Sequence, residues 1–331
     1  MTPRKAKNVI AVTPGGDITE EMILGYITLF TVPDRAVSAS KLNRTWISEG
    51  LPHGFIPQSR RSVNAFQVAC RSVETRRRTE ATKRREIEVD QVHETADKCV
   101  YQITVLIRDK ANELIEHPKA LRVIFDKNTE DITWQRLDAD GVDKAEADEL
   151  GTRIRDFYDA NAKKVPAARV RDAIRKLMDA CDATNLRKKA GGVYMVPRIA
   201  IDPEDGNQFH TKDLLDSLAK VLSELWGGDA EVNQIPCANA ESEREMLARH
   251  FDINVTDEID EIMAKASEAL QRPDRSMRQD AIGNMLARRK QLAERTERYK
   301  SLVGDELEQV VTKLDLLDQQ LEAVVLAKAG D

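Results

Sequence analysis

The 331-residue chain is short of the residues that announce a chemistry. Its four cysteines, Cys70, Cys99, Cys181 and Cys237, stand far apart in apolar surroundings. There is no CxxC pair and no cysteine beside a histidine at zinc spacing, so buried, reduced thiols are the expected state. The five histidines, His53, His93, His117, His210 and His250, are isolated, without an acid or a cysteine at the spacing of a triad or a metal site. No glycine loop ending in Lys-Ser/Thr follows a strand-like segment, so a phosphate-binding P-loop is not supported. The acids of IDPEDGNQFH miss the register of a calcium loop. Pairs such as Asp257 and Glu261 read as a solvated helix face rather than as a catalytic dyad. Neither a cofactor nor a metal is expected, and the chain reads as a non-enzyme.

Long apolar runs are also missing. No stretch reaches the length of a membrane span, and the basic N-terminus MTPRKAKNVIAVTPGGD lacks a long apolar core and a cleavage site. The expectation is a cytosolic protein with no membrane partner. Aromatics are scarce, at 5%, whereas charged residues reach 33%, a balance that suits long exposed helices better than one large globule. With a net charge of −6 and a pI near 5.6, the surface as a whole does not attract polyanions, so any nucleic-acid contact must be local.

One stretch has that local character. SRRSVNAFQVACRSVETRRRTEATKRR, residues 59–85, carries nine basic residues against two acidic ones. Val63, Phe66, Cys70 and Val73 share one face at helical spacing, which suits burial against a sheet. Arg71, Arg78 and Arg85 then recur every seven residues, with Arg76, Arg77, Lys83 and Arg84 beside them. The spacing predicts one helix over 59–85, apolar at its start and basic at its end. Such a patch sits on phosphates and releases their counterions. The competing reading pairs these arginines with acidic segments of this chain or of another copy. Residues 200–271, with 17 acids against 5 bases, are one such segment.

The surrounding pattern is mixed. ILGYITLFTV (23–32) reads as a strand, and residues 38–49 as a short helix with Leu42, Trp46 and Ile47 inward. A helix-turn-helix is disfavoured because the linker after it, LPHGFIPQ, is too long. EIEVDQV, CVYQITVLIR, ALRVIFD and DITWQRL alternate with period two and predict an antiparallel meander. Tyr101, Phe125 and Trp134 share faces with aliphatic residues, which favours a core over a base-stacking platform. Helices are expected over 142–162 and 166–182. In NLRKKAGGVYMVPR, the basic loop with Arg187, Lys188 and Lys189 precedes a short strand, the order found at the end of a winged helix. Thr211 is expected to cap a helix over 212–226, and AEVNQIP to form a strand. Residues 239–271 read as helical with an interruption at 254–256. Residues 276–328 read as one long helix whose seam, Val303, Leu307, Val310, Leu314, Leu317, Leu321 and Val324, alternates gaps of four and three. That seam needs a partner helix, from the same chain or from another copy, and is the expected oligomerisation surface.

Trp46 through GLP, the run PQSRRSVNAFQVACR and the later GGVYMVPR resemble a family of uncharacterised proteins from actinobacterial phages and plasmids. The resemblance covers most of the chain, but its motifs name no chemistry. It implies expression in a bacterial cytosol, in a setting rich in DNA transactions, and it carries over no active site.

The sequence therefore predicts an α+β fold. An antiparallel sheet with packed helices and a candidate winged-helix-like segment is followed by a long C-terminal helical hairpin or coiled coil. The expected divisions are an arm at 1–17, an α+β domain at 18–140, a helical, winged-helix-like region at 141–238 and a long-helix region at 239–331. The expected function is oligomeric, non-enzymatic nucleic-acid binding. The alternative is a self-assembling or host-protein-binding interaction protein that uses its C-terminal coiled coil.

Overall fold

The computed structural model describes residues 22–74, 76–78, 84–109, 111, 113–137, 142–186, 192–204, 207–271, 279–304 and 307–329. The expected arm at 1–17 lies outside them. In chain order the elements are β1 (Ile23–Thr31), β2 (Val37–Ser38), α1 (Ala39–Ser48), α2 (Ser62–Arg71), β3 (Arg76–Arg78), β4 (Arg84–Glu94), β5 (Lys98–Arg108), β6 (Leu114–Glu116), β7 (Lys119–Asp126) and β8 (Ile132–Arg136). They continue with α3 (Lys144–Asn161), β9 (Lys164–Val165), α4 (Ala167–Ala180), β10 (Thr184–Asn185), β11 (Val193–Pro197), β12 (Ala200–Glu204), β13 (Asn207–His210), α5 (Thr211–Trp226) and β14 (Glu231–Ala238). Three helices close the chain: α6 (Glu241–Gln271), α7 (Gln279–Val303) and α8 (Glu308–Ala329). The fold is α+β, with antiparallel sheets and C-terminal helices.

The chain divides into two compact units, and not into consecutive segments. One comprises residues 34–44 and 57–170, and the other residues 1–33, 45–56 and 171–331. The first is thus inserted in the sequence of the second as two stretches, with residues 45–56 between them. Within α1, Leu42 and Trp46 are buried as expected, but Ile47 is 43% exposed.

The inserted unit is built on an antiparallel sheet in the order β3-β4-β5-β7-β8, with β6 beside β5. The period-two segments form its strands. Helices α2 and α3 bury their apolar stripes on the sheet. Phe66 of α2 lies 4.9 Å from the Phe125 ring, stacked, and 5.6 Å from Tyr101, edge-on. Tyr101 and Phe125 are therefore core. Trp134 is half-buried against Gly151, where an added Cβ would come within 2.5 Å of the indole, and the Arg155 guanidinium lies 4.4 Å from the ring centroid. Asp143 caps α3, accepting from the Ala145 amide at 3.3 Å.

The basic segment departs from the expected helix. α2 stops at Arg71, and Arg76–Arg78 and Arg84 onward are strands. The apolar stripe ends at Val73, and a helix with no face left to bury has little to hold it together. The alternation of Ile87 and Val89 instead carries β4 back to Arg84, and β3 pairs with it.

The second unit has a four-stranded antiparallel sheet, β10-β11-β1-β14, one face of which meets α6, α7 and α8 through Leu24, Met195 and Cys237. β11 is paired on both sides, with β10 and β1, so it is an interior strand rather than a free-standing wing. Thr211 does not cap α5: its hydroxyl donates to the Pro197 carbonyl at 2.7 Å and accepts from the Ile199 amide at 3.2 Å, tying the helix to the chain after β11. α6 is continuous where an interruption is expected. Val255 is buried there, and Asn254 Nδ2 donates to the Asn185 carbonyl at 3.0 Å. The long C-terminal helix is instead two helices. Gly304, at φ +81°, ends α7 in a conformation that favours glycine, and α8 folds back. Arg289 of α7 pairs with Asp318 of α8, each about equally far from the turn.

Candidate nucleic-acid interface

β3 and β4 form an arginine-rich ribbon. Their register opposes Arg76 with Glu86, Arg77 with Arg85 and Arg78 with Arg84. The row continues across the sheet, with Arg84 opposite Arg108 on β5 and Arg108 opposite Leu114 on β6. Three arginines and a leucine thus occupy successive strands of one row. Like charges directly opposed across strands destabilise a sheet. Two contacts relieve part of that repulsion. Arg85 Nη2 donates to Glu146 of α3 at 2.6 Å, and Arg108 Nε lies 3.4 Å from Glu86. Arg71 is exposed at the end of α2.

The fold therefore brings Arg76, Arg77, Arg78, Arg84 and Arg85 onto one ribbon, adds Arg108, which the sequence pattern gave no reason to single out, and partly neutralises Arg85. Lys83, Arg187, Lys188 and Lys189 lie outside the described residues.

The seam residues take a different role. Val303, Leu307, Val310, Leu314, Leu317, Leu321 and Val324 are all buried among α6, α7 and α8 of the same chain. Their partner is intramolecular, and they are core rather than an oligomerisation surface.

A second polar cluster, in the unit that holds the three-helix bundle, lines a cleft of about 760 Å³ with Asp182, Glu258, Arg288, Arg295 and Arg298. Asp182 follows α4 in a left-handed conformation, φ 54°, at the position where a helix stop usually places glycine. Its carboxylate receives Arg298, with Nη2 at 3.0 Å from Oδ1, and this hydrogen bond raises the Arg298 pKa. Tyr299, fully buried, donates to the Asp182 carbonyl at 2.6 Å, and its hydroxyl lies 2.7 Å from the Thr184 hydroxyl. Burial pushes the Tyr299 phenol up to about 12. Arg295 Nη2 donates to the Ala183 carbonyl at 2.8 Å. Arg288 and Arg295 also reach Glu258 of α6, at 3.4 and 3.7 Å, so the cluster fastens α7 both to the chain after α4 and to α6 and is structural.

All four cysteines are buried free thiols. Among the described residues no group of three His, Cys, Asp or Glu side chains is placed to hold a metal ion, and no helix is long and apolar enough to cross a membrane.

These features define an α+β protein whose distinctive chemistry is a charged ribbon at the end of a sheet. The chain belongs to a family of unknown function, DUF6744, whose sequence profile matches residues 23–330. No curated protein and no solved structure matches it.

Proposed function

We propose that the protein binds nucleic acid through the β3–β4 ribbon. The observation that carries this reading is the register: Arg77 opposite Arg85, and Arg78 opposite Arg84, which in turn faces Arg108. Stacked like charges weaken the bare sheet, and a polyanion laid along them removes the repulsion. The resemblance to phage and plasmid proteins supports a DNA-rich bacterial setting.

The test is a fluorescence-anisotropy titration of a labelled duplex at several salt concentrations. With four to five phosphates neutralised, log affinity falls against log salt with a slope of about −4. Replacing Arg76, Arg77 and Arg78 by alanine flattens the slope by roughly one per lost contact. A flat salt response in the wild-type protein refutes the reading.

A further inference from the structure

Among the described residues, the end of the sheet that carries the arginines has two edges with no further strand beside them. β3 is the terminal strand on one side. On the other, β6 pairs with β5, and among the described residues no strand covers its outer side. The same register rows reach both strands, so the edges bound one four-stranded patch, β3-β4-β5-β6, antiparallel throughout.

The two edges are chemically opposite. β3 is Arg76-Arg77-Arg78. β6 is Leu114-Ile115-Glu116, preceded by Glu113, and all four of these residues are exposed. Leu114 and Ile115, at 48% and 47% exposed, are large apolar side chains on an unprotected edge. Natural sheets usually blunt such an edge with lysine, proline or a covering segment, because it templates pairing with another chain. A basic edge repels a second basic edge, and an acidic edge repels a second acidic one. Each fits the other.

We infer that a second copy of this chain docks here, its β3 adding to β6 of the first by antiparallel strand pairing. The strand directions allow it without inversion. β3 runs antiparallel to β6 within one copy, so a copy displaced along the sheet presents β3 antiparallel to the β6 it meets. Continuing the rows across the junction sets Leu114 beside the incoming Arg78 and Glu116 beside the incoming Arg77, with the bulge at Ile115 between them, and Glu113 lies one position beyond Leu114. Backbone hydrogen bonds supply the attraction, and charge selects the order of the edges. The contact is head-to-tail, so it builds rings or filaments rather than closed pairs. A contact three residues long is weak, in the class of small transient interfaces, so assembly should depend on protein concentration. This inference does not depend on the nucleic-acid reading and concerns the protein alone.

Sedimentation velocity of nuclease-treated protein, at low and high salt and over a concentration series, tests it. The wild type should form species larger than a dimer that dissociate with salt. One variant carries Arg76→Glu, Arg77→Glu and Arg78→Glu, and another carries Glu113→Lys and Glu116→Lys. Each alone should remain monomeric, because its own edges now repel. Mixed, they should assemble again, since each reversed edge meets an edge of opposite charge on the other variant. This recovery also shows that both variants are folded. A wild type that stays monomeric at low salt and high concentration overturns the inference, as does assembly that neither variant weakens, or a mixture that stays monomeric. The lysine variant keeps all the arginines and therefore separates the two readings: it should lose assembly and retain duplex binding.

Discussion

Removing the Tyr299 hydroxyl is the sharpest probe of how the helical bundle is fastened. Tyr299→Phe keeps the ring, which stacks on Phe251 at a centroid distance of 3.8 Å, and deletes only the oxygen that joins the Asp182 carbonyl to the Thr184 hydroxyl. Thr184 is fully buried, so its hydroxyl loses that partner in a place water does not reach. The Asp182 carbonyl keeps only a long approach from Arg295 at 3.5 Å. Leaving a buried polar group unsatisfied costs about 1–3 kcal/mol, so we expect a loss of about 2 kcal/mol. The partner can be removed as well. In a Thr184→Val background the same substitution should cost about 1 kcal/mol less, because the two side chains share one interaction. Urea unfolding by tryptophan fluorescence reads this directly. In a Trp134→Phe background the remaining tryptophans, Trp46 and Trp226, both belong to the same unit as Tyr299. A loss below about 0.5 kcal/mol at unchanged m-value, or strict additivity with Thr184→Val, would refute the reasoning.

Gly151→Ala should destabilise the inserted unit by about 1–3 kcal/mol through overpacking, because the new methyl lies 2.5 Å from the Trp134 ring. Thermal melting should show the loss, and a smaller residue at position 134 should restore part of it. The Cys70 and Cys181 thiols are held protonated by burial, Cys181 at about 12, so their folded pKa values lie above the unfolded one. Their contribution is complete below the unfolded thiol pKa and is lost as pH rises past it. Stability should fall by up to about 1.4 kcal/mol per thiol per pH unit between about pH 9 and 11, read as a declining urea midpoint. Native protein at pH 8 should react negligibly with a thiol-specific chromogenic reagent, whereas all four cysteines should react in urea.

The parts of the fold legible in the sequence are those where one periodicity acts alone. The alternation in CVYQITVLIR marks β5, and the leucines of α5 mark its buried face, because in each a single apolar partner surface decides the geometry. Three features read less well, for separate reasons. The arginines after Val73 have no apolar pattern of their own, so their conformation comes from the strand they pair with, Arg84–Glu94, whose own alternation begins only at Ile87. The heptad seam is a true helical signal, but periodicity cannot report that Gly304 folds it back on the same chain. Asn254 looks like a helix breaker until its tertiary hydrogen bond is seen. At the candidate site, the concentration of positive charge is visible in the sequence. The row that links Arg78, Arg84 and Arg108 is not, since it depends on strand register across the β5–β6 turn.

The nesting of one unit inside the other bears on biosynthesis. β1 is made early, at residues 23–31, yet its neighbours in the sheet are residues 193–197 and 231–238. On the ribosome it must wait without either flanking strand while the whole of residues 57–170 emerges. That stretch holds all the strands of its own main sheet and both helices packed on it, so it is free to finish first. An apolar ILGYITLFT strand is thus left without its sheet partners for most of translation, which makes it the segment that a ribosome-associated chaperone would cover.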